Sequence, residues 1–315
     1  MNSKDKTLEY HVERLSNDNL TDVEKLHTGV YGKVPPPGLF SMKYDTAFTG
    51  IQHIGFVAYN GQLPIAFYAV IPCFLKIDDE IVLVAQSADT MTHPEYRTKG
   101  LFVELAMITY QLCENSGIRL VFGFPNQNSL PGFINKLGWK MTERMDCFII
   151  TAAKFSLSAF LKKIPVLKNW YAGLQQRLLR KYVIQQQGIA NSVLNDGYAG
   201  VCRDNRYLKS KTYSDTPVIK IDNATLWIKM SSILLIGDIS IIPEDFEDMM
   251  NKLKKLTRKM GLKEIHFHAS PGTTLHSLFA KNIKSIPSFP VIFKDLAGGV
   301  PIDKIKFTSA DIDTF

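Results

Sequence analysis

One stretch restricts the fold more than any other: Ala88-Asp89-Thr90-Met91-Thr92-His93-Pro94-Glu95-Tyr96-Arg97-Thr98-Lys99-Gly100-Leu101-Phe102. The apolar, β-branched run from Ile81 to Met91 predicts a strand, and His93-Pro94 ends it. From Gly100 the period becomes helical, with Leu101, Phe102, Leu105, Met107 or Ile108, Leu112 and Cys113 on one stripe and Gly117 closing it. A strand that passes through a short basic loop directly into an apolar helix is an α/β device. The first turn of a helix offers unpaired N–H groups and the positive end of the dipole, which suit a pyrophosphate. Arg97 and Lys99 add positive charge, and Gly100 lets the backbone come close to phosphate oxygens. The segment therefore reads as a phosphate-binding strand–loop–helix. It is neither a GxxxxGK[ST] loop nor a GxGxxG dinucleotide fingerprint.

The rest of the chain surrounds that segment with α/β material. Ser16-Asn17-Asp18-Asn19 opens a helix that should end near Gly29 or Gly32. Pro35-Pro36-Pro37-Gly38 is a stiff loop. Asn60-Gly61, between Ile54–Tyr59 and Ile65–Ile71, predicts a tight hairpin. After Gly117 come a strand over Ile118–Phe124, a short helix over Ser129–Leu137 stopped by Gly138, and a strand over Met141–Thr151 returning to the sheet. Residues Phe155 to Gln187 lean towards helix, with Pro165 and Gly173 as breaks. The remainder echoes the first half. Gly117-Ile-Arg-Leu-Val-Phe-Gly-Phe has a counterpart in Gly261-Leu-Lys-Glu-Ile-His-Phe-His, each after an amphipathic helix, and Phe40-Ser-Met-Lys43-Tyr44 resembles Tyr207-Leu-Lys-Ser-Lys211-Thr-Tyr213.

His93–Phe102 resembles motif A of the GNAT N-acetyltransferase family, an [RQ]-x-x-G-x-[GA] loop after the fourth strand. Asn126-Gln-Asn128-Ser129, followed by Phe133-Ile134-Asn135-Lys136-Leu137-Gly138-Trp139, is similar to the family's next motif, an asparagine leading into a short helix that ends in "LGF". The resemblance spans about residues 16–151 and is weaker over 195–315, where the likeness is to the degenerate second half of tandem members. It implies an α/β fold of two GNAT-like halves, each a mixed, curved sheet flanked by helices. The corresponding division is a domain over 1–152, a helical connection over 153–190, and a degenerate domain over 191–315 that helps form the acceptor cleft.

The resemblance implies acetyl-CoA as co-substrate and a primary amine of a small molecule, such as an amino sugar or sugar nucleotide, as acceptor. The backbone of Met91 and Thr92 should pair with the pantetheine arm. The amides of Thr98, Lys99, Gly100, Leu101 and Phe102 should hold the pyrophosphate, with Arg97 shaping the loop. Asn126 or Asn128 should bond pantetheine or anchor its own loop, and Phe133 should pack near the CoA tail. Two positions depart from the family pattern. Phe102 stands where Gly or Ala is usual, and Ile134 occupies the place of the usual tyrosine acid. For the base the family offers two precedents: a carboxylate on the strand before the loop, here Asp89, and a terminal carboxylate, here that of Phe315. Strand alternation sets Asp89 and Thr92 on opposite faces. Transfer of a longer acyl or aminoacyl group, and a CoA-binding protein without turnover, remain the alternatives.

The second half lacks an Arg-x-x-Gly. Its equivalent junction, Gly237-Asp-Ile-Ser-Ile-Ile-Pro243-Glu-Asp-Phe-Glu-Asp248, carries carboxylates that would repel a pyrophosphate, so one cofactor site is expected. His266-Phe-His268 has a spacing zinc sites use, but no third ligand is evident nearby in sequence, so no metal is expected. Lysine plus arginine exceeds aspartate plus glutamate by 37 to 30, which suits an anionic ligand. Lys252, Lys254, Lys255, Arg258 and Lys259 form a basic helix face without interleaved aromatics, read as solvated rather than as a nucleic-acid surface. No apolar run approaches membrane-spanning length. Residues Met1 to His11 lack the apolar core of a signal peptide, and Cys73, Cys113, Cys147 and Cys202 form no CxxC. A cytoplasmic protein with reduced thiols is expected.

Overall fold

The structure, a computed structural model, describes residues 9–155 and 165–315. The chain divides into two compact units. Unit 1 takes Met1–Phe74, Leu83–Met141 and Ile292–Val300, and unit 2 takes Leu75–Val82, Thr142–Val291 and Pro301–Phe315.

Unit 1 starts with a short strand that the sequence reading did not predict, β1 (His11–Arg14), followed by helices α1 (Leu20–Tyr31) and α2 (Leu39–Tyr44). Leu20, Val23 and Leu26 form the buried stripe of α1, which ends as expected at Gly32. That residue takes the left-handed conformation (φ 65°), and its amide donates to the Thr28 carbonyl. Strand β2 (Ile54–Asn60) turns at Gly61 into β3 (Leu63–Ile77), and a second turn at Asp78, also left-handed, leads into β4 (Glu80–Thr92). Then follow α3 (Leu101–Asn115), β5 (Leu120–Gly123) and α4 (Leu130–Leu137). Antiparallel β1, β2 and β3 continue through β4 to β5, which runs parallel to β4. Two apolar cores lie on the faces of this sheet. One holds Leu105, Tyr110, Phe133 and Trp139 under α3 and α4; the other holds Leu20, Val23, Phe40 and Tyr44 under α1 and α2.

Unit 2 contains most of β6 (Lys140–Thr151), then α5 (Pro165–Leu179), α6 (Ser192–Asn195), β7 (Gly200–Val201) and α7 (Asn205–Ser210). Strands β8 (Val218–Ile221), β9 (Ala224–Met230) and β10 (Leu234–Ser240) form a meander. Helix α8 (Phe246–Lys259), β11 (Glu264–Ala269), α9 (Thr274–Ala280) and β12 (Ser285–Asp295) complete it. Helix α8 buries Phe246, Met249, Met250, Leu253 and Leu256, and its basic face is solvated, with Lys252 paired to Asp222 at 2.5 Å.

Strand β6 returns to the sheet as expected, but its neighbours are remote in sequence: its residues Asp146–Thr151 pair antiparallel with β11, and Ile292–Asp295 of β12 pair with β5. Each edge is thus completed by a strand remote in sequence, which local patterning does not encode. Gly173 lies inside α5 and breaks nothing, since an interior glycine costs a helix only about 1 kcal/mol. Pro165 is the first described residue of that helix. Of the expected helical connection, residues 156–164 lie outside the described residues.

Candidate cofactor-binding site

The site is built where β4 leaves β5. Their pairing is confined to Ala85 with Val121 and Gln86 with Phe122, although β4 continues to Thr92. Beyond Gln86 the two strands splay, and the β4 edge is open to an extended, amide-bearing ligand. At the last paired position Gln86 is 6% exposed, and its Nε2 has no hydrogen-bond partner among the described residues. A buried donor left unmatched at the mouth of a splay fits a group that would accept from it.

The loop after β4 has the shape the sequence implies. Residues Pro94–Tyr96 form one 3-10 turn, then Thr98 (φ 66°) and Gly100 (φ 85°) take left-handed conformations, and α3 begins at Leu101. The amides of Val103 and Glu104 both donate to the Gly100 carbonyl. Those of Thr98, Lys99, Gly100, Leu101 and Phe102 donate to no backbone carbonyl among the described residues, five consecutive N–H groups where an exposed loop meets the start of a helix. No heavy atom lies within 4 Å of where a Gly100 Cβ would be, which leaves the cradle clear. Arg97 turns back, its Nε donating to the Thr92 carbonyl at 3.4 Å, and Lys99 stands over the Tyr96 ring at 5.5 Å. Arg97 therefore shapes the loop, while cationic charge stays beside it.

The other sequence-derived residues separate into different roles. Asn126 anchors its own loop, because its Oδ1 accepts from the amides of Asn128 and Ser129 at 2.9 and 3.1 Å. Asn128 is exposed. Phe133 points into the core, 4% exposed and edge-on to Phe102 and Trp139. It packs in the core beneath α4, beside the helix that follows the loop. Phe102, the departure from the family pattern, is accommodated by Gly132 on α4. A Cβ there would sit 2.9 Å from the Phe102 ring, so the side chain missing from one helix makes room for the bulk on the other. Ile134 packs against the same core and offers no proton.

Asp89 is at the point where the alternation argument fails. It takes a left-handed conformation (φ 47°), which interrupts the pleat of β4 and shifts the parity of everything after it. Its Oδ2 accepts from Lys43 Nζ at 2.6 Å and from the Tyr44 hydroxyl at 2.9 Å, with Lys43 only 5% exposed. The carboxylate thereby ties the end of α2 to β4. Lys43 and Tyr44, at the end of α2, are its partners. The sequence signalled them only through their echo at Lys211 and Tyr213. Under α3, a buried chain of hydroxyls joins Ser87, Tyr68, Tyr110 and Trp139 Nε1. Burial pushes the Tyr68 and Tyr110 phenols well up, so both serve as neutral hydrogen-bonding groups.

Unit 2 repeats the geometry and fills it with its own chain. Strand β10 pairs parallel with β11 only over Leu234–Ile236, and its ladder with β9 is irregular around Gly237. Past Phe267 the free β11 edge meets residues 307–309. Ala269 bridges Thr308, the Ser270 amide donates to the Phe307 carbonyl, and the His268 amide donates to Ser309 Oγ at 2.9 Å. Arg203, fully buried, ties this segment to β10 through Asp238 at 2.5 Å and Asp311 at 2.8 Å. The Phe315 ring lies against Gly237 so closely that a Cβ there would stand 2.1 Å from it, and it meets Trp227 edge-on. Lys229 Nζ donates to the Thr314 carbonyl. Phe315 is thus a packing residue of unit 2.

The paired histidines also look different in three dimensions. The register sets Cys147 of β6 opposite His268, and one ligand atom from each of Cys147, His266 and His268 falls within 4.8 Å of the others. The third residue that the sequence did not reveal comes from the neighbouring strand.

Comparison with known proteins agrees with this geometry. Residues 11–142 match the family model of an acetyltransferase (GNAT) domain. A GCN5-related N-acetyltransferase from Kribbella flavida is similar at 12% identity and a TM-score of 0.56, over 92% of this chain and 72% of that one. A conserved protein from Enterococcus faecalis V583 gives 11% identity and a TM-score of 0.59, over 92% and 73%. A GCN5-related N-acetyltransferase from Anabaena variabilis gives 14% and 0.52, over 91% and 73%. At these identities the likeness is one of fold. No curated protein matches the chain by sequence.

Proposed function

We propose that this chain, whose residues 11–142 match the model of an acetyltransferase (GNAT) domain, binds one acetyl-CoA along residues 91–102 and moves the acetyl group to a primary amine of a small molecule. The observation that carries the reading is the meeting, at one end of β4, of an open strand edge and five consecutive amides without backbone acceptors. When bound, acetyl-CoA supplies an activated thioester. The amides of Thr98 to Phe102, at the positive end of the α3 dipole, would bind pyrophosphate oxygens, with Lys99 adding charge. The backbone of Met91 and Thr92 would orient the pantetheine arm, and Gln86 Nε2 is a donor within the splay. The acceptor amine must lose a proton before or during attack, and Asp89, the carboxylate on β4, is also paired with Lys43. Amino sugars and sugar nucleotides are the proposed acceptor class. Unit 2 reads as a degenerate second domain of the same type. The buried thiols of Cys73, Cys113 and Cys147 suit a reducing cytoplasm.

Calorimetry with acetyl-CoA tests the assignment. One equivalent should bind, and Gly100→Asp should weaken binding at least a hundredfold by placing bulk and negative charge among the phosphate-facing amides. Two equivalents, or unchanged affinity in the variant, would reject the site. The pairing of Asp89 and the apolar Ile134 favour one second reading, a CoA-binding protein without turnover. Stoichiometric binding with no acetylation across a panel of amines would select it.

A further inference from the structure

We propose that Cys147, His266 and His268 of unit 2 form a zinc site, separate from the acyl-CoA loop. Three observations carry it. The first is register. Strands β6 and β11 pair antiparallel with Cys147 opposite His268 and Ile149 opposite His266, so all three side chains leave one face of a rigid ladder. That face is opposite the apolar core, which takes Phe148, Ile150, Ile265 and Phe267 from the same two strands. The second is spacing. One ligand atom from each residue lies within 4.8 Å of the others, and tetrahedral zinc with sulfur at about 2.3 Å and nitrogen at about 2.0 Å needs separations near 3.5 Å. Small side-chain rotations close that gap.

The third is the support each imidazole already has. His266 Nε2 is 2.9 Å from Glu264 Oε2, and His268 Nδ1 is 2.6 Å from Ser288 Oγ. Each ring is therefore oriented by an oxygen partner on one nitrogen, which leaves the other nitrogen for a metal. Ligating histidines are held in this manner, with a carboxylate or hydroxyl fixing the tautomer. Two imidazoles and a thiol form a borderline-soft donor set that discriminates against magnesium and calcium and suits zinc. Three protein ligands leave a fourth position for water or another donor. His266 keeps 19% of its side chain exposed, so the ion has an entry. Binding forms Zn–S and two Zn–N bonds and displaces one proton from the Cys147 thiol to solvent, with no change of oxidation state.

The test uses the full chain, stripped with a chelator and titrated with Zn²⁺, and separately with Co²⁺ as a coloured probe. One equivalent should bind, and the cobalt form should show thiolate-to-metal charge-transfer absorption. Cys147→Ser should abolish that absorption and weaken zinc at least a hundredfold, whereas Cys113→Ser should change neither. His266→Gln, at the more exposed end, keeps the question answerable if the cysteine variant does not fold, and should cost tenfold or more. Absence of stoichiometric zinc binding, a cobalt spectrum without the thiolate band, or equal affinity in His266→Gln would overturn the site. Acetyl-CoA affinity, measured in the same samples, should be the same with and without zinc, so failure here is distinct from failure of the acyl-transfer reading.

Discussion

Asp89 combines the position expected of a general base with a structural pairing. It has the type and the strand expected of a general base, but its carboxylate holds Lys43 and Tyr44, and its backbone is left-handed. Asparagine tolerates that backbone region and keeps an acceptor oxygen, whereas alanine pays about 1–2 kcal/mol in strain and leaves Lys43 buried without its carboxylate. Turnover in Asp89→Asn should therefore fall less than about tenfold, with acetyl-CoA affinity kept. General bases contribute about 10²–10⁴, so a loss in that range would return the catalytic role to Asp89. Lys43→Met makes the complementary case. It leaves the carboxylate without its cation, and because Asp89 is 21% exposed the cost should be roughly 1–3 kcal/mol in urea unfolding, short of a fully buried pair. The double variant Lys43→Met, Asp89→Asn should regain part of it. Additive losses would show that the two side chains do not act together.

At the scale of elements, the hairpin at Asn60-Gly61, helix α3 and the loop that precedes it were legible because their signals are local: turn chemistry, a helical stripe, a glycine beside basic residues. The turn of β4 at Asp89 was not, since nothing in Ser87-Ala88-Asp89-Thr90 announces a left-handed aspartate. The exchange of β6 and β12 was illegible for a different reason. Both follow a short helix, and no local pattern tells a strand which β edge it will join. Cys147 joined the histidines only once that pairing was known. The fit of α3 to α4 was half legible: Phe102 stood out as an exception, but Gly132, which accommodates it, did not. Valine at 132 would force the Phe102 ring from its place between Tyr68 and Phe133. Gly132→Val should cost about 1–3 kcal/mol and raise the acetyl-CoA Kd, because Phe102 carries one of the five loop amides. Phe102→Ala in the same chain should restore part of both, measured as a coupling in a double-mutant cycle.

Taken as a whole, the molecule uses one strand geometry twice and keeps it open once. In unit 1 the splay between β4 and β5 is followed by a loop whose amides lack backbone acceptors among the described residues. In unit 2 the splay between β10 and β11 is occupied by residues 307–309, and the helix after β10 starts among Glu244, Asp245, Glu247 and Asp248. The filling is held by buried charge. Burial raises the Asp238 carboxyl above its ordinary range even beside Arg203, so these groups depend on one another. Gly237 is the backbone position that lets the filling close, because the Phe315 ring occupies the space a side chain would need. Gly237→Ala should therefore expel the ring and loosen the segment behind it. The amides of Phe307, Thr308 and Phe315, which donate to Ser270 Oγ, Asp311 and the Ile312 carbonyl, should exchange with deuterium at least tenfold faster than in the parent chain. Acetyl-CoA stoichiometry should nevertheless stay at one, since the carboxylates after β10 still repel a pyrophosphate when the splay is loosened. Unchanged exchange over 307–315 would mean that the ring is not what holds the segment. A second equivalent of acetyl-CoA in Gly237→Ala would mean that the filling, and not the acidic junction, is what keeps unit 2 from binding it.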